Sequence, residues 1–418
     1  MKDNFLTSLP WHDELRKKMA GTEMPEFREA NCHIHTPYSF SAFDTLDTAF
    51  KMAREEGIAA LGINDFFVTD GYEAFHNGCI RNSIFPLFNI EFIGLLKEEQ
   101  KAGTKINDPN NPGRIYFSGK GLDYPFNISW PFKRKLNKVI GESQNQMKAM
   151  IAKLNQLIQP VNPSLQLTYD GIKKRFAKDL VRERHLAKAV RFLAVENYDT
   201  PDSQILFIES LYGSKKSKAL MSDPAALENE IRSNLLKAGG PAFVAEDESS
   251  FPELKKLISI IKRAGGIPCY PVLLDDSSGK YTGFEADREK LYNSLYALGI
   301  GCIELIPGRN DISILRAFCE FFNEKGFLIT FGTEHNTPEL TPLTVTARGN
   351  MPLDVSLKKI AWEGICVIAA HQYLRAHDRQ GYILDDGSLS LGQKNDLTKL
   401  GRLVIEYFLS RRQNETGN

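Results

Sequence analysis

Cysteine is scarce in this sequence, with six residues in 418 and no Cys-x-x-Cys pair. That pattern excludes a disulfide framework and fits a reduced compartment. A surplus of one charge is missing too: Lys plus Arg and Asp plus Glu each total 52. The balance argues against a chain that coats nucleic acid or anionic lipid with its whole surface, so any electrostatic targeting is local. No apolar run approaches the ~18 residues needed to span a bilayer. The opening MKDNFLTSLPWHDELRKKMAG lacks the apolar core and cleavage site of a signal peptide, and a cytoplasmic address is the expectation. There is no Walker loop, no nucleophile elbow, no Gly-x-Gly-x-x-Gly after a strand and no internal repeat, which removes several nucleotide-binding and serine-hydrolase classes. What remains is the composition of an ordinary globular protein, with 42% apolar, 25% charged and 10% aromatic residues.

Apolar strands alternate with amphipathic helices. Strands are expected at Glu29–His35, Ala59–Asp65, Ile84–Phe92, Arg114–Ser118, Ile267–Val272, Gly301–Ile306 and Phe327–Gly332. Between the first two, Leu46, Ala49, Phe50 and Ala53 fall on one helical face, with Asp44 placed to cap the helix and Gly57 to end it. Near-continuous apolar strands joined by helices imply a parallel sheet covered on both faces. From about Tyr124 to Ala245 the pattern changes to helices and loops. Residues 133–191 hold fourteen Lys or Arg against four Asp or Glu. This basic stretch reads either as a solvated helix face or as a phosphate-attracting surface. Beyond Leu340 the chain is again mostly helical, over 355–375 and 396–412.

Strand ends carry the polar residues. His33 and His35 close the first strand, Asp65 the second and Glu91 the third; Tyr270 lies in the fifth, Glu304 within the sixth, and Glu334 follows the seventh. In parallel α/β folds the carboxyl ends of strands form the ligand-binding rim, so side chains remote in sequence can converge there. In His-x-His on a strand, residues i and i+2 face the same way, which lets two imidazoles reach one cation at ~2.0–2.1 Å. Cys32 then points to the opposite side, where a small core residue fits.

These segments resemble the PHP family, the polymerase and histidinol phosphatase metal-dependent phosphoesterases. The likeness runs through NCHIHTPYSFSAFDT (31–45), LGINDFFVTDGYEAF (61–75) and NIEF (89–92). It resumes with LKKLISIIKRAGGIPCYP (254–271), GIGCIELI (299–306) and ITFGTEHN (329–336). The resemblance implies an α/β fold: a distorted seven-stranded (β/α) TIM-like barrel with a helical insertion and a helical C-terminal extension. The barrel would occupy 26–123 and 246–345, the basic helical insertion 124–245 and the extension 346–418. It also implies a rim metal centre of up to three ions that hydrolyses phosphate esters. His33, His35, Glu91 and Glu334 stand where one ion's ligands are expected, Glu334 being Glu where the family commonly has Asp. Elsewhere imidazoles are missing: Phe66 follows Asp65 where the family has Asp-His, Tyr116 and Tyr270 replace histidines, and Asn336 falls on another metal position with His335 one place early. A phenyl ring cannot ligate a metal, and a tyrosine loses its proton only near ~10. The expectation is therefore one divalent ion, Zn, Mn or Fe.

In this reading Asp65 accepts the proton of a metal-bound water or orients a ligating imidazole, or else merely caps a loop. His335 protonates the leaving group or is a solvent-facing loop histidine. Arg114, Lys120 and Arg309 reach a phosphate or are surface charges, and Tyr116 and Tyr270 donate hydrogen bonds to the same oxygens or pack at the rim. The substrate class expected is an anionic small molecule, without a membrane or nucleic-acid partner. Two other readings stay open: a mononuclear hydrolase of C–N or ester bonds like the amidohydrolases, and a non-catalytic barrel binding nucleic acid through the basic insertion.

Overall fold

The computed structural model describes residues 4–245, 251–276, 278–384 and 386–416. Seven strands form one sheet in chain order: β1 (Ala30–Ile34), β2 (Ala60–Phe66), β3 (Phe85–Leu95), β4 (Arg114–Lys120), β5 (Ile267–Val272), β6 (Cys302–Leu305) and β7 (Leu328–Phe331). The chain after β7 returns to β1. The His35 amide donates to the Glu334 carbonyl at 2.7 Å, and the Glu334 amide to the His33 carbonyl at 2.9 Å. The sheet thereby nearly closes into a barrel. Its strands are buried along almost their whole length, which is why they read as unbroken apolar runs.

Helix Leu46–Glu55 crosses from β1 to β2 and buries Leu46, Ala49, Phe50 and Ala53. Its cap is Thr45 rather than the expected Asp44: the Thr45 hydroxyl oxygen accepts from the Thr48 amide at 3.3 Å. A second correction concerns the sheet. β4 runs antiparallel to both β3 and β5, so the sheet is not wholly parallel. Residues 96–113 form a returning connection with only the short helix Lys97–Lys101, and a chain that turns back without a crossover must re-enter antiparallel. Leu95 consequently pairs with Arg114, which puts Arg114 at the mouth and Lys120 at the far end.

The inserted region begins with helix Trp130–Ile158, 29 residues or about 43 Å long. Leu136 and Val139 join the apolar cluster of the barrel, whereas Met150, Ile151, Leu154 and Ile158 join another that also holds Leu186, Val190, Phe207 and Leu227. One helix thus ties a separately packed helical unit to the barrel. Its expected end at 245/246 adjoins residues 246–250, which lie outside the described ones. At the C-terminus, Ile365, Cys366 and Ala369 of helix Val355–Ala376 share a buried cluster with Val404, Ile405 and Phe408 of helix Lys394–Thr416. No helix among the described residues is long and apolar enough to cross a membrane.

His371, in the first of these helices, is wholly buried. Its Nε2–H donates to the Gly265 carbonyl at 2.5 Å while Nδ1 accepts from the Tyr382 amide at 3.0 Å. Burial pushes its pKa down to about 4. The unfolded ring titrates near ~6.5, so between pH 6.5 and 4 the unfolded chain binds the extra proton. This contribution to stability is complete above pH ~6.5 and is lost as pH falls through about 4. Urea titrations at pH 7 and 4.5 should show His371→Gln losing about 2–3 kcal/mol less than the parent over that interval.

Candidate metal centre

His33 on β1 and His35 just after it project into the barrel, and their Nε2 atoms stand 3.2 Å apart. Glu91, from β3, brings Oε2 to 3.2 Å from His35 Nε2 and 3.7 Å from His33 Nε2. An ion held tetrahedrally at ~2.0–2.1 Å separates its donor atoms by about 3.3 Å, so this triangle fits one without rearrangement. Glu91 Oε2 is also buried with no hydrogen-bond partner. Burial, opposed by His33 and reinforced by Glu334 and Glu304, pushes the Glu91 carboxyl up to about 8. A divalent cation between the three atoms would supply the missing partner.

Carboxylate-linked groups stand behind both imidazoles, and Asn64 Nδ2 also lies 3.0 Å from each ring nitrogen of His33. His33 Nδ1 lies 3.0 Å from Glu304 Oε1, which also accepts from Lys120 Nζ at 2.5 Å, while Ser118 Oγ donates to Glu304 Oε2 at 3.3 Å. Burial alone would raise the Glu304 carboxyl, but His33 and Lys120 hold it down at about 2. His35 Nδ1 lies 3.3 Å from Ser39 Oγ, which donates to Asp65 Oδ1 at 2.6 Å. Burial outweighs the nearby Asp65 and Glu334 and lowers the His35 pKa to about 4, so its ring is neutral at pH 7. Both rings can donate Nδ1–H backwards and present an Nε2 lone pair forwards, as metal ligation needs. At the barrel seam, a Cβ on Gly332 would stand 2.3 Å from His33 Cβ, so only glycine lets β7 approach this ligand.

Glu334 lines the cleft, in a left-handed conformation (φ 61°) with His335 (φ 55°). Its Oε2 accepts from the Arg309 guanidinium and from Asn336 Nδ2, the latter at 2.9 Å. Among the described residues the group of candidate ligands is His33, His35 and Glu91; Glu334, expected as a fourth ligand, is not in it and is engaged by Arg309. Three protein donors leave a position for water or substrate. Phe66 stacks on His35, with centroids 4.7 Å apart and planes at 22°, so hydrocarbon fills the place beside this ligand.

The remaining expected site residues divide. Arg114, Tyr116 and Arg309 line the cleft; Arg114 also pairs with Asp108 at 3.3 Å and lies over the Phe251 ring. Asp65 lies behind His35 with both oxygens already accepting, Oδ1 from the Thr36 amide at 2.7 Å and from Ser39, Oδ2 from the Thr36 hydroxyl. That arrangement suits orienting the imidazole rather than taking a proton from water. Three expectations need correction. Lys120 is not at the mouth, because β4 is antiparallel; it is buried inside the barrel against Glu304. Tyr270 is buried behind the wall and donates its hydroxyl to Glu285 Oε1 at 2.7 Å. His335 is neither solvent-facing nor poised to protonate a leaving group. Its Nε2 meets the Thr341 carbonyl at 2.7 Å, its Nδ1 the Thr333 hydroxyl at 2.8 Å, and its ring stacks on Phe43.

A cleft of about 370 Å³ separates the barrel mouth from the insertion. The floor includes His33, Glu91, Glu304 and Glu334, and the insertion contributes Arg182, Arg184, Arg232 and Lys237. Arg182 lies over the face of Phe66, 4.5 Å from the ring centre. Sequence reasoning missed these four cations and the part Glu304 plays behind His33. The basic stretch at 133–191 was the signal for Arg182 and Arg184, but charge counting does not say which way a helix faces.

No family model matches the chain, and no curated protein matches it. Among solved structures, it is similar to a protein from Bifidobacterium adolescentis assigned as a metal-dependent phosphoesterase. Identity is 16% over 81% of this chain and 96% of that one, with a TM-score of 0.50. It is also similar to an amidohydrolase from Chromobacterium violaceum, at 15% identity over 80% and 96% of the two chains, with a TM-score of 0.48. The first likeness is one of fold.

Proposed function

We propose that this chain is a metal-dependent hydrolase that cleaves phosphate esters of an anionic small molecule with a single divalent ion. The observation that carries this reading is the unsatisfied Glu91 Oε2, facing two imidazoles in a cleft lined by arginines. A divalent ion at such a centre supplies a water with a pKa near ~7 and polarises the bound oxygen. His33, His35 and Glu91 would hold the ion. Arg309 and Arg182 are placed to bind and orient a phosphoryl group, because guanidinium matches its oxygens in geometry and charge. Tyr116 can donate a further hydrogen bond from the wall, and the insertion limits access of bulk water. The Bifidobacterium protein of like fold, assigned as a metal-dependent phosphoesterase, is in keeping with this reading.

Phe66, which occupies with hydrocarbon the place beside His35, favours a second reading, a mononuclear hydrolase of C–N or ester bonds. The nucleic-acid reading has less support, since Arg182 and Arg184 turn into the cleft. A panel of phosphate monoesters, amides and lactones offered to the metal-loaded protein separates these readings. Turnover confined to phosphate esters and abolished by chelation is expected; turnover of amides or lactones alone would replace the first reading with the second.

A further inference from the structure

On the insertion side of the cleft several cations gather around one described carboxylate. Glu183 Oε2 accepts from Arg232 Nε at 2.9 Å and lies 3.0 Å from Lys237 Nζ, so one carboxylate serves two cations. Arg184, next along the chain, donates from Nη1 to the neutral Asn229 Oδ1 at 2.9 Å, and its guanidinium lies 5.4 Å from the centre of the Phe40 ring. All four charged residues line the cleft. Burial, with Arg232 nearby, pushes the Arg184 pKa down to about 9, against the opposing pull of Glu183, Glu334 and Glu228. On the floor, Arg309 is already engaged by Glu334. Among the described residues Arg184 thus lines the cleft from the insertion side with a neutral hydrogen-bond partner and no ion pair.

We infer that Arg184 and Arg232 form a second anion subsite, and that the substrate carries two anionic groups, a phosphoryl group at the metal centre and a phosphate or carboxylate under the insertion. The inference rests on the hydrolase reading, since it assumes that the first group sits at His33, His35 and Glu91. Guanidinium groups bind phosphate and carboxylate alike through paired N–H donors, so the structure sets the charge of the second group and leaves both chemistries open.

Isothermal titration calorimetry on the metal-loaded protein tests it with three probes: propyl phosphate, 3-phosphonopropionate and propane-1,3-diyl bisphosphate. The parent protein is expected to bind at least one two-headed probe about tenfold or more tightly than propyl phosphate, and the stronger of the two identifies the second group. Arg184→Gln should erase that advantage and leave propyl phosphate unchanged, whereas Arg184→Lys should keep part of it. Arg232→Gln serves as an independent variant if the first does not fold. Equal affinity of the parent for all three probes, or a variant that weakens one-headed and two-headed probes alike, would overturn the second subsite alone. A parent that binds no probe although it holds metal would overturn the phosphoesterase reading with it.

Discussion

Alanine at both His33 and His35 is expected to abolish stoichiometric binding of a divalent ion and to lower turnover by about 10³-fold or more. Of the three donors grouped at the barrel mouth, only Glu91 would remain. A single carboxylate holds a transition metal weakly, and without the ion nothing in the described cleft acidifies water. The loss should not reflect a collapsed fold. Both rings are polar groups at the end of a strand, and Glu304 keeps Lys120 as its partner when His33 is removed. Circular dichroism unchanged from the parent, together with lost metal, is the expected pair of results. Ser39→Ala provides the graded comparison: it disconnects His35 from Asp65 without touching a ligand, and losses of about 10–100-fold in metal affinity are typical of such supporting groups.

The second large effect is on stability. Lys120 and Glu304 form an ion pair whose side chains are 0% and 1% exposed. Taking such charges out of water costs several kcal/mol each, and the pair persists because each supplies what the other lost. Lys120→Met leaves Glu304 with His33 and Ser118 only, so the metal-free protein is expected to be destabilised by about 3–5 kcal/mol in urea unfolding. Adding Glu304→Gln to that variant should restore much of the loss, since no buried charge is then left unpaired. If the double variant is the less stable by the sum of the two single effects, the pair contributes through packing rather than charge.

The fold was legible because strands buried on both sides advertise themselves as short apolar runs, and all seven strands lie within a few residues of where the sequence puts them. His-x-His was legible because alternation along a strand is a purely local rule, and it brought two imidazoles to one face as expected. The direction of β4 was not legible: it depends on whether residues 96–113 cross the barrel or turn back, and that loop carries no periodic signal. From this one ambiguity came the misplacement of Lys120, which a wholly parallel sheet would have put at the mouth. His335 failed for another reason. Its position beside Glu334 suggested a shared site, but two successive left-handed residues swing its ring outward onto Phe43. The arginines of the insertion could be counted in the sequence, yet only the packing of the insertion over the barrel mouth brings Arg182 and Arg184 to line the cleft.

All of this depends on a single cation held between side chains from β3 and from the end of β1. Anomalous diffraction from crystals of the metal-loaded protein locates it directly. One peak per chain is expected, bounded by His33 Nε2, His35 Nε2 and Glu91 Oε2 at ~2.0–2.2 Å. No peak at that point, or two or three peaks spread along the rim, would contradict the account.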